Sequence, residues 1–173
     1  MRANCFKNWS HLLILNLCAN EIECINKDDL VGLENLVELS LNSNNLTEIV
    51  SNSFRNLTKL KKLELRSNKI EKIDYDGFIG LENLEKLFLK DNKLIKFNAN
   101  IFESLKSLKK LDISDNQTHN IKYKKELKQL ENLEFLDMRG NRLLQTSESK
   151  KSLDKSFDKF KKKFCPNAKN VFY

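Results

Sequence analysis

Apolar residues return along this chain in one fixed order. Leu36, Leu39 and Leu41 are followed by Asn44 and Leu46, then Leu60, Leu63 and Leu65 by Asn68 and Ile70, then Leu84, Leu87 and Leu89 by Asn92 and Leu94. The order continues as Leu108, Leu111, Ile113, Asn116 and as Leu133, Leu136, Met138, Asn141, Leu143, and an earlier copy runs Leu12, Leu15, Leu17, Asn20, Ile22. The asparagines Asn20, Asn44, Asn68, Asn92, Asn116 and Asn141 stand 24 residues apart, the last pair 25. Thr118 alone departs from the frame, where an aliphatic residue is expected. The Leu-x-Leu alternation predicts a strand with one buried face. No single unit can cover that face alone, so the units stack, pair their strands in parallel about 4.8 Å apart and share one core.

The rest of each unit repeats as well. Phe54, Phe78 and Phe102 each lie ten residues after a frame asparagine, Leu30 takes that place in the first full repeat, and Leu127 takes it one residue late after Asn116. Leu33, Leu57, Leu81, Leu105 and Leu130 then precede the next strand. Loops and short turns are expected between strands, with the Phe column packed inside. The asparagines have a separate task. Where the chain bends off a strand, backbone groups lose their ladder partners, and a buried side-chain amide can both donate to and accept from them.

The frame Leu-x-x-Leu-x-Leu-x-x-Asn-x-Leu resembles that of leucine-rich repeat proteins over residues 3–143. Its repeat length and Phe column are similar to the class common in animal extracellular and receptor ectodomains. The resemblance implies an α/β, right-handed solenoid with a parallel sheet on its concave face and loops on its convex face. It also implies binding of proteins, and sometimes glycans or lipids, on the concave face. Caps of extracellular members usually carry paired cysteine clusters, whereas the C-terminal segment here offers only Cys165. Location stays open between the cell surface, as part of a longer protein, and the cytoplasm.

Two parts are read: a repeat array over 1–143 and a Lys-rich cap over 144–173. Residues 3–12 align with 51–60, so Phe6 takes the Phe column, Trp9 takes the following Leu column and the array opens in mid-repeat, as a piece of a longer array would. A competing reading makes Leu12 to Ala19 a signal-peptide core behind Arg2 and Lys7; the repeat register accounts for the same residues. In the cap, Leu153, Phe157, Phe160 and Phe164 share one face of an expected helix that Pro166 ends, and Asn170 to Tyr173 read as a short edge strand. Such an end closes the core of a repeat array.

Charge is unevenly placed. The net charge is +7, and eight Lys against Glu148, Asp154 and Asp158 put +5 of it in the cap. The cap is read as solvated, with its apolar face turned inward; the alternative is contact with an anionic membrane surface through 150–164. No apolar run reaches the roughly 18 residues of a transmembrane helix. Cys5, Cys18, Cys24 and Cys165 form no C-x-x-C pair and are read as free thiols, with a Cys18–Cys24 bridge disfavoured. Asn8, Asn45, Asn56 and Asn116 open N-x-Ser/Thr sequons, of which Asn116, a frame residue, is expected to be buried. His11 and His119 are read as surface residues. No nucleophile–base pair, metal cluster, phosphate loop or off-frame carboxylate pair is found. The reading is therefore non-catalytic, with no cofactor and no nucleic acid.

The partner surface follows from the frame. Its central column is Asn16, Ser40, Glu64, Phe88, Asp112 and Asp137. Lys62, Lys86, Lys110 and Phe135 lie on one side, Arg66, Lys90 and Arg139 on the other. Basic columns thus flank a centre that is acidic apart from Phe88. Phe88 is read as a solvent-facing aromatic of the kind that anchors an interface, with Phe135 extending the patch. The function expected is recognition of a protein partner on this face. The alternatives are a spacer within a receptor or adhesion array, and an intracellular scaffold with a membrane-binding cap.

Overall fold

A computed structural model describes residues 4–96, 101–119, 130–142 and 170–172. Seven strands form one sheet in the order β1 (Ile14–Asn16), β2 (Glu38–Ser40), β4 (Lys62–Glu64), β6 (Lys86–Phe88), β7 (Lys110–Asp112), β8 (Phe135–Asp137) and β9 (Asn170–Phe172). Every pair is parallel and in register, so Leu15, Leu39, Leu63, Leu87, Leu111 and Leu136 meet across the sheet as one column. Leu12 to Ala19 therefore belongs to the first coil, and β9 supplies the expected edge strand beside β8. A second, two-stranded parallel sheet pairs β3 (Glu48–Ile49) with β5 (Lys72–Ile73) on the far side of the coils. Only loops and turns were expected there.

The described residues form strands, turns and irregular loops, and none of them is helical. The architecture is a parallel-sheet β-solenoid, which corrects the α/β class for this part of the chain. The reason is local. Leu57 N–H donates to Phe54 O and Leu60 N–H to Leu57 O, both at 2.9 Å, and the same pair of tight turns recurs around Phe78 and Leu81 and around Phe102 and Leu105. Two such turns bring the chain back to the next strand without a helix. The expected cap helix from Leu153 to Phe164, Pro166, Leu143, Leu127 and Cys165 lie outside the described residues.

The core is the inner face of the large sheet against the turns. The Leu column and the flanking frame positions are fully buried in the middle coils, as are Phe54, Phe78 and Phe102. Phe54 and Phe78 stack with ring centroids 6.4 Å apart. The first coil is looser: Leu15 is 9% exposed, and Trp9, assigned to the buried Leu column, is 51% exposed beside Phe6. Among the described residues no coil covers that end.

The asparagines form a continuous row. Leu41 O accepts from Asn44 Nδ2 of its own coil and from Asn68 Nδ2 of the next, both at 3.0 Å. Leu65 O accepts in the same way from Asn68 and Asn92, Leu89 O from Asn92 and Asn116, and Ile113 O from Asn116 and Asn141. Each Oδ1 accepts one backbone N–H of the preceding coil, as Asn68 does from Leu46. Asn44, Asn68, Asn92 and Asn116 are buried, Asn141 is half-buried and Asn20 is exposed, donating only within its own turn. Thr118 is buried yet satisfied, since both its N–H and its hydroxyl donate to Asn141 Oδ1. The bend also needs a left-handed residue before each asparagine. Ala19, Ser43, Ser67, Asp91, Asp115 and Gly140 all have φ between 52° and 71°.

A second period underlies the first. Leu-Glu-Asn-Leu occurs at 33–36, 81–84 and 130–133, in every other coil. Its asparagine ties that coil to the one before: Asn35 to Ser10 O, Asn83 to Thr58 O and Asn132 to Lys106 O, at 2.8 to 2.9 Å. Just upstream, Gly32 and Gly80 sit at φ 97° and 91°, where a Cβ would lie 2.1 Å from Phe6 O and 2.5 Å from Arg55 O. Glycine is required because the backbones of adjacent coils touch there.

Candidate functional site: the open face of the large sheet

Strand alternation sends one residue of each Leu-x-Leu pair's neighbours away from the core. The central column places Asn16, Ser40, Glu64, Phe88, Asp112 and Asp137 side by side across six strands. Lys62, Lys86, Lys110 and Phe135 form the column at the strand starts. The predicted face is thus assembled as one surface, and its side chains engage one another.

Glu64 is the most heavily bonded. It meets Lys62 at 2.9 Å, Arg66 at 3.2 Å, Asn42 Nδ2 at 2.7 Å and Ser40 Oγ at 3.1 Å. Partial burial would raise its carboxyl, but the hydrogen bonds from Lys62, Asn42 and Arg66 outweigh burial and hold it at about 2. Lys62 is held up in return, chiefly by its bond to Glu64. The folded carboxyl lies below its ordinary value, so its stabilisation is complete above pH 4.5 and is lost as pH falls toward 2. Glu64→Gln should therefore flatten the loss of stability over that window; urea midpoints that fall equally steeply in both proteins would contradict the assignment.

Phe88 corrects the expectation of an open aromatic. It points to the open face yet is only 5% exposed. The Arg66 guanidinium lies 3.8 Å from its ring centroid and the Lys110 ammonium 5.4 Å away. A cation over a ring face is attracted by the ring's quadrupole, and here it also hides the ring from water. Phe135 is half-buried, with Lys110 Nζ 4.2 Å from its centroid and Phe172 at 5.8 Å. Phe172, from β9, was not among the predicted site residues. Its signal was the edge strand, whose register with β8 brings it beside Asp137.

The remaining charges pair off. Arg139 donates to both oxygens of the buried Asp137 and lies over Phe172. Burial alone would raise the Asp137 carboxyl, and the Arg139 bonds bring it below its usual range. Asp112 accepts from Ser114 Oγ at 2.6 Å, and Lys90 reaches Asp115 at 3.1 Å. At the strand-entry edge, Glu85 bridges Lys61 and Lys109. Lys86 and Lys110 stand apart: among the described residues neither has an ion-pair partner.

Other candidates do not converge on chemistry. Cys5, Cys18 and Cys24 are free thiols, and Cys18 Sγ lies 2.8 Å from Ser40 Oγ at the margin of the face. His11 is exposed and His119 half-buried. Asn8 is exposed, Asn45 and Asn56 half-buried, and Asn116 buried. Among the described residues no three His, Cys, Asp or Glu side chains gather as metal ligands, and no helix is long and apolar enough to cross a membrane.

A family model described as leucine rich repeat matches residues 1–46, 34–94 and 89–143. No match is found among curated proteins. One similar solved structure is a chain of the TLR13–ssRNA13 complex, at 30% identity and a TM-score of 0.76 over 79% of this chain. Another is from the Toll–Spatzle complex of Drosophila development and innate immunity, at 24% identity and a TM-score of 0.75 over 82%; at that identity it speaks for the fold alone. The chain spans about one fifth of either one, 20% of its length.

Proposed function

Since the chain belongs to the leucine-rich repeat family, we propose that it works as a non-catalytic recognition module, binding a protein partner on the open face of the seven-stranded sheet. One observation carries this reading. Each inward position repeats nearly the same residue in every coil, whereas the outward central column runs Asn, Ser, Glu, Phe, Asp, Asp. A surface that only kept the solenoid soluble would need no such specific cluster of three phenylalanines under cations. Aromatic and arginine side chains packed together are the usual anchors of protein interfaces. The TLR13 chain was solved with ssRNA13 and the Toll chain with Spatzle. For this face a protein suits the chemistry better, because Glu64, Asp112 and Asp137 run down its centre.

A spacer role in a longer array is the second reading. It is favoured by the internal pairing of Glu64 and Asp137, which leaves those carboxylates satisfied without a ligand. Selection from a random peptide display library separates the two. Binders should lose about tenfold or more in affinity to Arg66→Ala/Phe135→Ala and nothing to Lys72→Ala/Tyr75→Ala, which lies off the sheet face. Binders insensitive to the first pair, or lost with the second, would overturn the reading.

A further inference from the structure

Resting on that reading of the open face, we propose that the partner segment it takes is acidic, with carboxylates received by Lys86 and Lys110 and an apolar side chain set against Phe135. The register makes Lys86 and Lys110 direct neighbours on β6 and β7. Like charges directly opposite one another on adjacent strands destabilise a sheet. Elsewhere on the face that repulsion is relieved from within: Lys62 has Glu38 and Glu64, Arg66 has Glu64, Lys90 has Asp115 and Arg139 has Asp137. On this face only the central pair closes no ion pair among the described residues, although the charge of Lys86 is felt by Glu85 beside it. A carboxylate placed between the two ammonium groups removes the repulsion and forms charge-assisted hydrogen bonds to both.

The pair is also held in place before any ligand arrives. Lys110 Nζ lies between two rings, 4.2 Å from the centroid of Phe135 and 5.4 Å from that of Phe88. Its rotamers are restricted by that packing, so less side-chain entropy is lost on binding. Phe135 is half-buried, which leaves apolar area beside the charge for a residue next to the acid.

The same geometry argues against a nucleic acid as occupant. A polyphosphate crossing the face would pass over Glu64, Asp112 and Asp137, side by side with Phe88 in one column. Base recognition by stacking needs an open ring face, and the ring of Phe88 is covered by Arg66. A short peptide can set an acid on the lysine pair and keep neutral or basic residues over Asp112.

The test uses the whole chain and a short soluble peptide centred on Glu-Phe-Glu, its Gln-Phe-Gln counterpart and a short oligouridylate, read by fluorescence anisotropy. The acidic peptide should bind, weaken with added salt, and lose about tenfold in affinity to Lys86→Gln/Lys110→Gln and more to Lys86→Glu/Lys110→Glu. The Gln peptide should bind weakly and alike to all three proteins. Equal binding of the acidic peptide by wild type and the Gln variant, no advantage over its Gln counterpart, or tighter binding of oligouridylate lost in the same variants would each overturn the proposal. Thermal melts check that these surface variants are folded, and the salt response of the wild type tests the proposal without any variant. The display selection distinguishes the two levels: open-face binders free of acidic residues would refute the acidic partner and leave the recognition role standing, whereas no open-face binders at all would remove that role.

Discussion

Leu87→Ala should lower the unfolding free energy by about 2–5 kcal/mol, read as a lower urea midpoint. Leu87 is fully buried, and the register places it between Leu63 and Leu111, both fully buried too. The lost methyl groups remove transfer free energy, and the space they leave adds to it. Collapse is limited here. Strand spacing of about 4.8 Å is set by backbone hydrogen bonds, so the leucines on either side cannot close over the gap. Leu15→Ala should cost less, because among the described residues Leu15 has a column partner on one side only, and it is partly exposed already. Equal losses in the two variants would show that the stacked column is not where the stability resides. Neighbouring coils are each other's only support in such an array, so the damage at Leu87 reaches both sides.

Asn68→Ala should cost about 1–3 kcal/mol, and the geometry says which group bears it. Leu41 O keeps Asn44 as a donor and Leu65 O keeps Asn92. Among the described residues the Leu46 N–H has only Asn68 Oδ1, in a buried setting, and loses that acceptor. Asn20→Ala should cost far less, since Asn20 is exposed and makes bonds only inside its own turn. The double variant Asn68→Ala/Asn92→Ala strips Leu65 O of both side-chain donors. It should therefore exceed the sum of its single changes, because the two amides share an acceptor. Additive chemical denaturation data would mean that the row is a set of separate caps, not a connected chain.

What the sequence made legible follows from what repeats. Column residues such as Leu63, Leu87 and Leu111 recur at one spacing, and a spacing that survives six copies states both strand direction and register. The left-handed residue before each asparagine was not legible, because Ala19, Ser43, Asp91 and Gly140 share a backbone angle and no side-chain chemistry. The alternate-coil ties went unread, because Leu-Glu-Asn-Leu recurs at twice the period that the leucines and asparagines make obvious. The small sheet of Ile49 and Ile73 was hidden because two-residue strands carry too little alternation to distinguish them from a turn. The site was legible as a list of columns. Its pairings were not, since exposure of Phe88 depended on where the flexible Arg66 side chain came to rest. Phe172 was missed because its place is set by the register of β9 with β8 and not by the frame.

In-register parallel pairing sets apart two kinds of position that alternate along the same short strand. Leu87 answers to leucines above and below it, while Lys86 and Phe88 answer only to whatever their outward neighbours happen to be. One set is locked by multiplicity and the other is free to drift. An outward side chain can therefore be exchanged singly while the stacked column behind it keeps every one of its contacts.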